Sequence, residues 1–224
     1  INGQWMPSEN GNTYQRYNPA NGDLVGTFSL ASQADAEKAV QVARATFDSG
    51  VWSTMDSEDR ATIMLRTAQL LLQRQDEIAW WEYATTGTPL RYTRNFAKSA
   101  ARLFRYYAGL ARDIAGRSFG FNANQMGITL KEPIGVCSLI VPWNFPLGET
   151  AWKVCPALAA GCTMVVKPDS KTPVSALGLG AILKEAGLPD GVYNAITGEV
   201  ADIGTTLTSH PDIDHISFTG STTS

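Results

Sequence analysis

The sequence predicts an α/β protein: a helical N-terminal half that leads, through a hairpin arm, into a parallel sheet wrapped by helices. Three observations carry this expectation. "IGVCSLIV" (134–141) and "TMVVK" (163–167) are almost wholly apolar, the texture of strands buried on both faces. Helical stretches separate them from each other and from the later strands "GVYNAIT" and "HISFTG", and strands alternating with helices imply a parallel sheet with crossovers. Upstream, apolar residues recur at steps of three and four, the period of amphipathic helices.

Residues 1–28, rich in Gly, Asn and Pro, read as small strands or an extended arm. The first helix has Ser32 as a candidate N-cap with Asp35 three residues on, and Ala36, Ala39, Val40, Ala43 and Phe47 on one face before Gly50. A second helix starts at Ser57 with Glu58 and Asp59 in its first turn, where acids favour the helix dipole. Its expected buried line is Ala61, Met64, Leu65, Ala68, Leu71 and Leu72. A third runs from Asp76 to Thr86 and stops at Gly87, and a fourth from Tyr92 to Ile114 through Phe96, Ala100, Leu103, Tyr107, Leu110 and Ile114. Arg91, Arg94, Lys98, Arg102, Arg105 and Arg112 line that fourth helix; with acids on its neighbours, a solvated basic face is expected rather than a nucleic-acid stripe. "RSFGFNANQMGITLKEPIGV" alternates around Asn122-Ala123-Asn124 as a hairpin would. The crossover helices are expected at Leu147–Ala160, Pro173–Ala186 and Asp202–Ser209. The chain thus divides into 1–116 (arm and helices), 117–133 (hairpin) and 134–224 (α/β part).

Bulk properties exclude several classes. The 224 residues carry a net charge of −3, which offers no general attraction to nucleic acid or anionic lipid. No apolar run reaches the length of a membrane span, and the N-terminus has no basic or apolar targeting segment, so a cytoplasmic protein is expected. Cys137, Cys155 and Cys162 are odd in number, sit among apolar neighbours and lack C-x-x-C spacing; buried core thiols are expected, not a disulfide or zinc site. His210 and His215 flank "PDID" without a ligand cluster, so no metal is expected.

In an open parallel sheet, ligands sit at the carboxyl ends of the strands. Pro142-Trp143-Asn144-Phe145-Pro146 follows the first strand, Lys167-Pro168-Asp169-Ser170 the second, and Thr219-Gly220-Ser221 the last. Asn144 offers a neutral amide donor held between prolines, suited to an oxyanion; equally, a turn Asn can bond its own backbone. Lys167 emerges from an apolar strand, either to bind a ribose or phosphate or to snorkel to solvent. Gly220 and Ser221, at an expected helix start, suit close approach of an anion such as a pyrophosphate. No G-x-G-x-x-G follows the first strand.

Taken together, "EPIGVCSLIVPWNFP", "AWKVCPALAAGCTMVVKPDSKTP", "EAGLPDGVYNAITG", "HISFTGST" and the early "YNPANGDLVGTF" resemble the aldehyde dehydrogenase superfamily over essentially the whole chain, with succinate-semialdehyde-dehydrogenase-like members among the subgroups suggested. The resemblance implies a Rossmann-like NAD(P)-binding fold, here incomplete, and an enzyme that oxidises an aldehyde to an acid. It implies that Asn144 stabilises the oxyanion and that Pro142, Trp143, Lys167, Pro168, Ser170, Lys171, Gly198, Gly220 and Ser221, with Asn144, line the cofactor site. It also implies a hairpin used for subunit association, in a homodimer or homotetramer. Many NAD-preferring members have a glutamate three residues after the lysine; Ser170 stands here, and a serine beside Lys167 and Lys171 would tolerate a 2′-phosphate, so NADP is expected at least as readily as NAD. Val200 replaces a second glycine common in the family. The family's nucleophilic cysteine and catalytic glutamate have no counterpart in the sequence, so these 224 residues alone are expected to be inactive: an N-terminal portion of the enzyme or, alternatively, a non-catalytic nucleotide-binding or interaction module.

Overall fold

A computed structural model describes residues 1–221. The N-terminal residues form a two-stranded antiparallel sheet, β1 (Thr13–Tyr17) and β2 (Leu24–Ser29). Helix α1 (Gln33–Asp48) starts at a complete capping box, with the Ser32 hydroxyl accepting from the Asp35 N–H and the Asp35 carboxylate accepting from the Ser32 N–H. In α2 (Ser57–Gln73) the cap is Asp56, whose carboxylate accepts from the Glu58 N–H. Helix α3 (Gln75–Thr86) ends at Gly87, left-handed at φ 73°, as a glycine C-cap allows.

The single helix expected over Tyr92–Ile114 is broken. A one-turn α4 (Leu90–Thr93) is followed, after Arg94 and Asn95, by α5 (Phe96–Ala111). The Asn95 N–H turns back to the Tyr92 carbonyl, and the Asn95 carbonyl accepts from Ser99 N–H, opening the new helix. The expected line is buried in part: Ala100 lies in the core and Leu103 and Tyr107 pack against it. Ala97, Ala100, Ala101, Ala108 and Ala111 surround the fully buried Phe104, while Leu110 and Ile114 are exposed. Small residues let α5 approach its neighbours closely, so backbone proximity outweighs the larger apolar side chains. Leu65 of α2 is likewise exposed. The basic residues along this stretch face solvent and acids: Arg112, just after α5, pairs with Glu58 at 2.5 Å, and Arg94, just before it, lies 4.0 Å from Asp76.

A hairpin of β3 (Ser118–Asn122) and β4 (Gln125–Ile128) stands away from the body, with Phe121, Met126 and Ile128 exposed. Four parallel strands then form the central sheet: β5 (Val136–Val141), β6 (Thr163–Pro168), β7 (Tyr193–Ala195) and β8 (His215–Phe218). Their spatial order is β7-β6-β5-β8. They are linked by α6 (Pro146–Ala160), α7 (Val174–Ala186) and α8 (Val200–Ser209).

Strand alternation splits the core between the two sheet faces. Cys137, Leu139, Val141, Met164 and Val166 pack with α2, α5, α6 and α7, and Val136, Val165 and Ile196 pack with α1 and α8. The result is three layers, helix–sheet–helix. All three cysteines are buried core thiols. Among the described residues no helix is long and apolar enough to cross a membrane, and no cluster of His, Cys, Asp and Glu is arranged to hold a metal.

Candidate functional site

The order β7-β6-β5-β8 makes β5 the strand from which the chain first moves to one side and later returns to the other. The crevice at such a reversal, beyond the carboxyl ends of the strands, is where open α/β sheets bind ligands. Register brings the predicted residues to that crest. Ile140 of β5 is opposite both Lys167 of β6 and Phe218 of β8. Thr219 N–H donates to the Ile140 carbonyl at 3.2 Å, extending the ladder and bringing Gly220 to the level of the β5 turn.

The β5 turn is built by its prolines. Pro146 disfavours the helical region for Phe145, which sits at φ −140°, ψ 68°, and Pro146 itself takes the first position of α6, where no N–H is missed. Trp143 and Asn144 are therefore displayed at the crest, both exposed. Among the described residues the Asn144 amide has no hydrogen-bond partner, so a bond to its own turn does not account for this asparagine.

The β6 turn closes on its aspartate. Asp169 Oδ1 accepts from the Lys171 N–H at 2.9 Å and the Asp169 carbonyl from the Thr172 N–H at 3.0 Å, leaving Ser170 at the apex. Arg16 Nε donates to the Lys171 carbonyl at 3.2 Å, fastening the turn to β1. The Lys171 ammonium lies 5.7 Å from the centre of the Trp143 ring, a cation–π contact that links the two turns.

Lys167 does not snorkel to solvent. It is 3% exposed, and among the described residues its ammonium finds only the Pro168 carbonyl, at 3.3 Å. Burial lowers its pKa, with Asp169 and Glu199 pulling the other way without forming an ion pair. A buried cation with one long bond to a neutral acceptor is the kind of group an anionic or hydroxyl-bearing ligand would satisfy.

Gly198 is buried at the end of β7, where a Cβ would press on the backbone of Ala31 at 3.2–3.3 Å. Its smallness is thus accounted for by chain packing. Gly220 is exposed, and a Cβ there would collide with the Phe218 ring. Ser221 is the last described residue; the helix expected to follow it, and the Val200 side chain, lie outside what the structure describes.

Two buried ionisable residues were not legible from the sequence. Lys153 of α6 reaches across to β8, donating to Ser217 Oγ at 2.9 Å, and burial lowers its pKa. Glu82 of α3 is fully buried and accepts from the Leu147 N–H at 2.9 Å and the Ser175 hydroxyl at 2.5 Å. The only signal for Glu82 was its place four residues after Ile78, on the face that also buries Ala79 and Thr85. Its carboxylate occupies the start of α6, the position at which many dinucleotide folds hold a pyrophosphate, which fits the absence of a glycine-rich loop after β5.

The chain matches the aldehyde dehydrogenase family model over residues 5–224. It belongs to the aldehyde dehydrogenase family. Human retinal dehydrogenase 2 is 43% identical to it over 224 residues, covering 99% of this chain and 43% of that protein. The aldehyde dehydrogenase KauB from Pseudomonas aeruginosa superposes with a TM-score of 0.97 at 37% identity, over 100% of this chain and 45% of KauB. Betaine aldehyde dehydrogenase from Staphylococcus aureus, solved in complex with NAD+, superposes with a TM-score of 0.94 at 34% identity, over 97% of this chain and 44% of that one. The chain therefore spans less than half the length of these aldehyde dehydrogenases.

Proposed function

We propose that these residues are the cofactor-binding and oxyanion-stabilising portion of an enzyme that oxidises an aldehyde to a carboxylic acid with NAD(P)+. The observation that carries the assignment is the convergence of the unpaired Asn144 amide and the buried, under-satisfied Lys167 ammonium on adjoining strand ends of a parallel sheet. The strand-end residues fit a dinucleotide. Lys167 and Ser170 would hold the adenosine ribose or its phosphate, Gly220 and Ser221 the pyrophosphate, and Trp143 would flank the cleft, with Pro142, Pro168, Lys171 and Gly198 shaping it. The bound cofactor supplies the hydride acceptor.

The protein's own part is electrostatic. A thiolate from outside these residues attacks the aldehyde carbon, the carbonyl π pair moves onto oxygen, and the Asn144 N–H donates to the oxyanion so formed. A fixed amide needs no reorganisation as that charge develops, and one such donor lowers the barrier by about 3–4 kcal/mol.

NADP is accepted at least as well as NAD in this proposal, because Ser170 adds no carboxylate to repel a 2′-phosphate and Lys171 stands beside it. The exposed apolar hairpin around Phe121, Met126 and Ile128 supports association with a second copy, a dimer or tetramer.

The test is Asn144→Ala in the complete gene product. We expect kcat to fall about 100- to 1,000-fold with the nucleotide Kd within about threefold of wild type. Unchanged kcat would remove Asn144 from the reaction.

A further inference from the structure

Glu82 joins the two turns that carry the candidate site. Through one oxygen, Oε1, it holds the second residue of α6 (Leu147, by its N–H) and the second residue of α7 (Ser175, by its hydroxyl). Leu147 lies three residues beyond Asn144, and Ser175 lies four beyond Lys171. The other oxygen, Oε2, is buried with no hydrogen-bond partner among the described residues. A hydrophobic side chain at this position would pack against the same helices, so a carboxylate that is fully buried and only half satisfied calls for another explanation than core filling.

We propose that Glu82 is a positioning residue for the oxyanion donor: by anchoring the first turn of α6 to α3, the helix that carries it, it fixes the Pro142–Pro146 turn and hence the aim of the Asn144 amide. The proposal rests on the assignment of Asn144 made above. Two features favour it over a general role in stability. Pro146 has no N–H, so the bond to Leu147 is the first backbone donor of α6 that can be tied down, and the turn before it is otherwise exposed at Trp143, Asn144 and Phe145. And one oxygen set at the first turns of two helices takes a donor from each, so the acceptor is held by what it holds. A displacement of the donor by about 1 Å is enough to cost on the order of 100-fold in rate.

The test uses the complete enzyme and three variants. Glu82→Leu removes the acceptor; Glu82→Gln keeps Oε1 and both bonds; Ser175→Ala removes the α7 bond and leaves the Leu147 bond. We expect Glu82→Leu to lower kcat at least tenfold with the nucleotide KM within threefold, Glu82→Gln to restore kcat to within threefold of wild type, and Ser175→Ala to do the same. A folded Glu82→Leu with wild-type kcat overturns the proposal. So does a Glu82→Gln enzyme that folds but is as slow as Asn144→Ala, or a Ser175→Ala enzyme slowed as much as Glu82→Leu. Where Glu82→Leu fails to fold, the Gln and Ala variants still decide. Asn144→Ala run alongside separates the two claims: if it keeps full activity, the oxyanion assignment itself fails, whereas a slow Asn144→Ala with unaffected Glu82 variants removes only the positioning role.

Discussion

Replacing Lys167 with Met should make the nucleotide-free protein more stable and reduce the stabilisation that bound nucleotide adds. The side chain is 3% exposed, and its single bond is to a neutral carbonyl at 3.3 Å. Without a paired carboxylate, the desolvation of its charge is largely uncompensated, and substituting a well-packed apolar chain of similar volume for buried charge gains about 1–4 kcal/mol. Taking about 2 kcal/mol, at about 2–4 °C per kcal/mol for a domain of this size, Lys167→Met should melt roughly 4–8 °C higher without nucleotide. A charge-assisted hydrogen bond to the ligand is worth about 1.5–3 kcal/mol, so the nucleotide Kd should rise roughly 10- to 150-fold. The stability difference should also depend on pH. Because the folded pKa is lowered from 10.5, the unfolded chain binds more protons between the two values, so wild-type stability climbs as pH rises toward 10.5 and the variant's advantage shrinks. Scanning calorimetry at pH 7 and pH 9.5, with and without NADP+, measures all three. A variant that melts lower than wild type without nucleotide, or that binds nucleotide normally, would show that Lys167 is a structural cation and refute the reasoning.

Further expectations concern neighbouring groups. Ser170→Glu should weaken NADP+ binding at least tenfold through repulsion of the 2′-phosphate while leaving NAD+ within threefold, measured by fluorescence titration. Burial raises the Glu82 pKa from 4.5 to about 7, so the neutral acid's contribution is fully present below pH 4.5 and is lost as pH rises to about 7. Glu82→Gln cannot titrate, so urea unfolding should show its stability relative to wild type improving by about 3 kcal/mol between pH 4.5 and 7.5; a constant difference would contradict the buried ionisation. Gly198→Val should destabilise by about 1–3 kcal/mol in the same assay, because the space its side chain needs holds the Ala31 backbone.

Much of the architecture was legible because the signals were local. β5 and β6 announced themselves as continuous apolar runs, and the Pro-Trp-Asn-Phe-Pro turn carries its own geometry in its two prolines. The Ser32–Asp35 capping box was written within four residues. What escaped was set by packing between distant segments. On α5 the expected line holds at Ala100, Leu103 and Tyr107 but not at Leu110 and Ile114, because close contact with its neighbours centres the buried face on the alanines around Phe104. The α4–α5 break falls at Arg94–Asn95, where no side-chain cap bond marks it, inside an otherwise periodic stretch. Among the candidate site residues, Asn144 and Lys167 stand out in the sequence by their place at strand ends, but whether the asparagine bonds its own turn and whether the lysine reaches solvent could be decided only in three dimensions. Glu82 was invisible because its partners are 65 and 93 residues away.

The most direct test of the central claim is a crystal structure of the complete protein with bound NADP+. The dinucleotide should lie across the carboxyl ends of β6, β5 and β8, with its adenosine ribose on Lys167 and Ser170, its pyrophosphate beside Gly220, and its nicotinamide toward Asn144. A nucleotide bound elsewhere would contradict it. One such place is the cavity of about 570 Å³ bordered by Trp5, Met6, Trp81 and Leu177, which none of these residues lines.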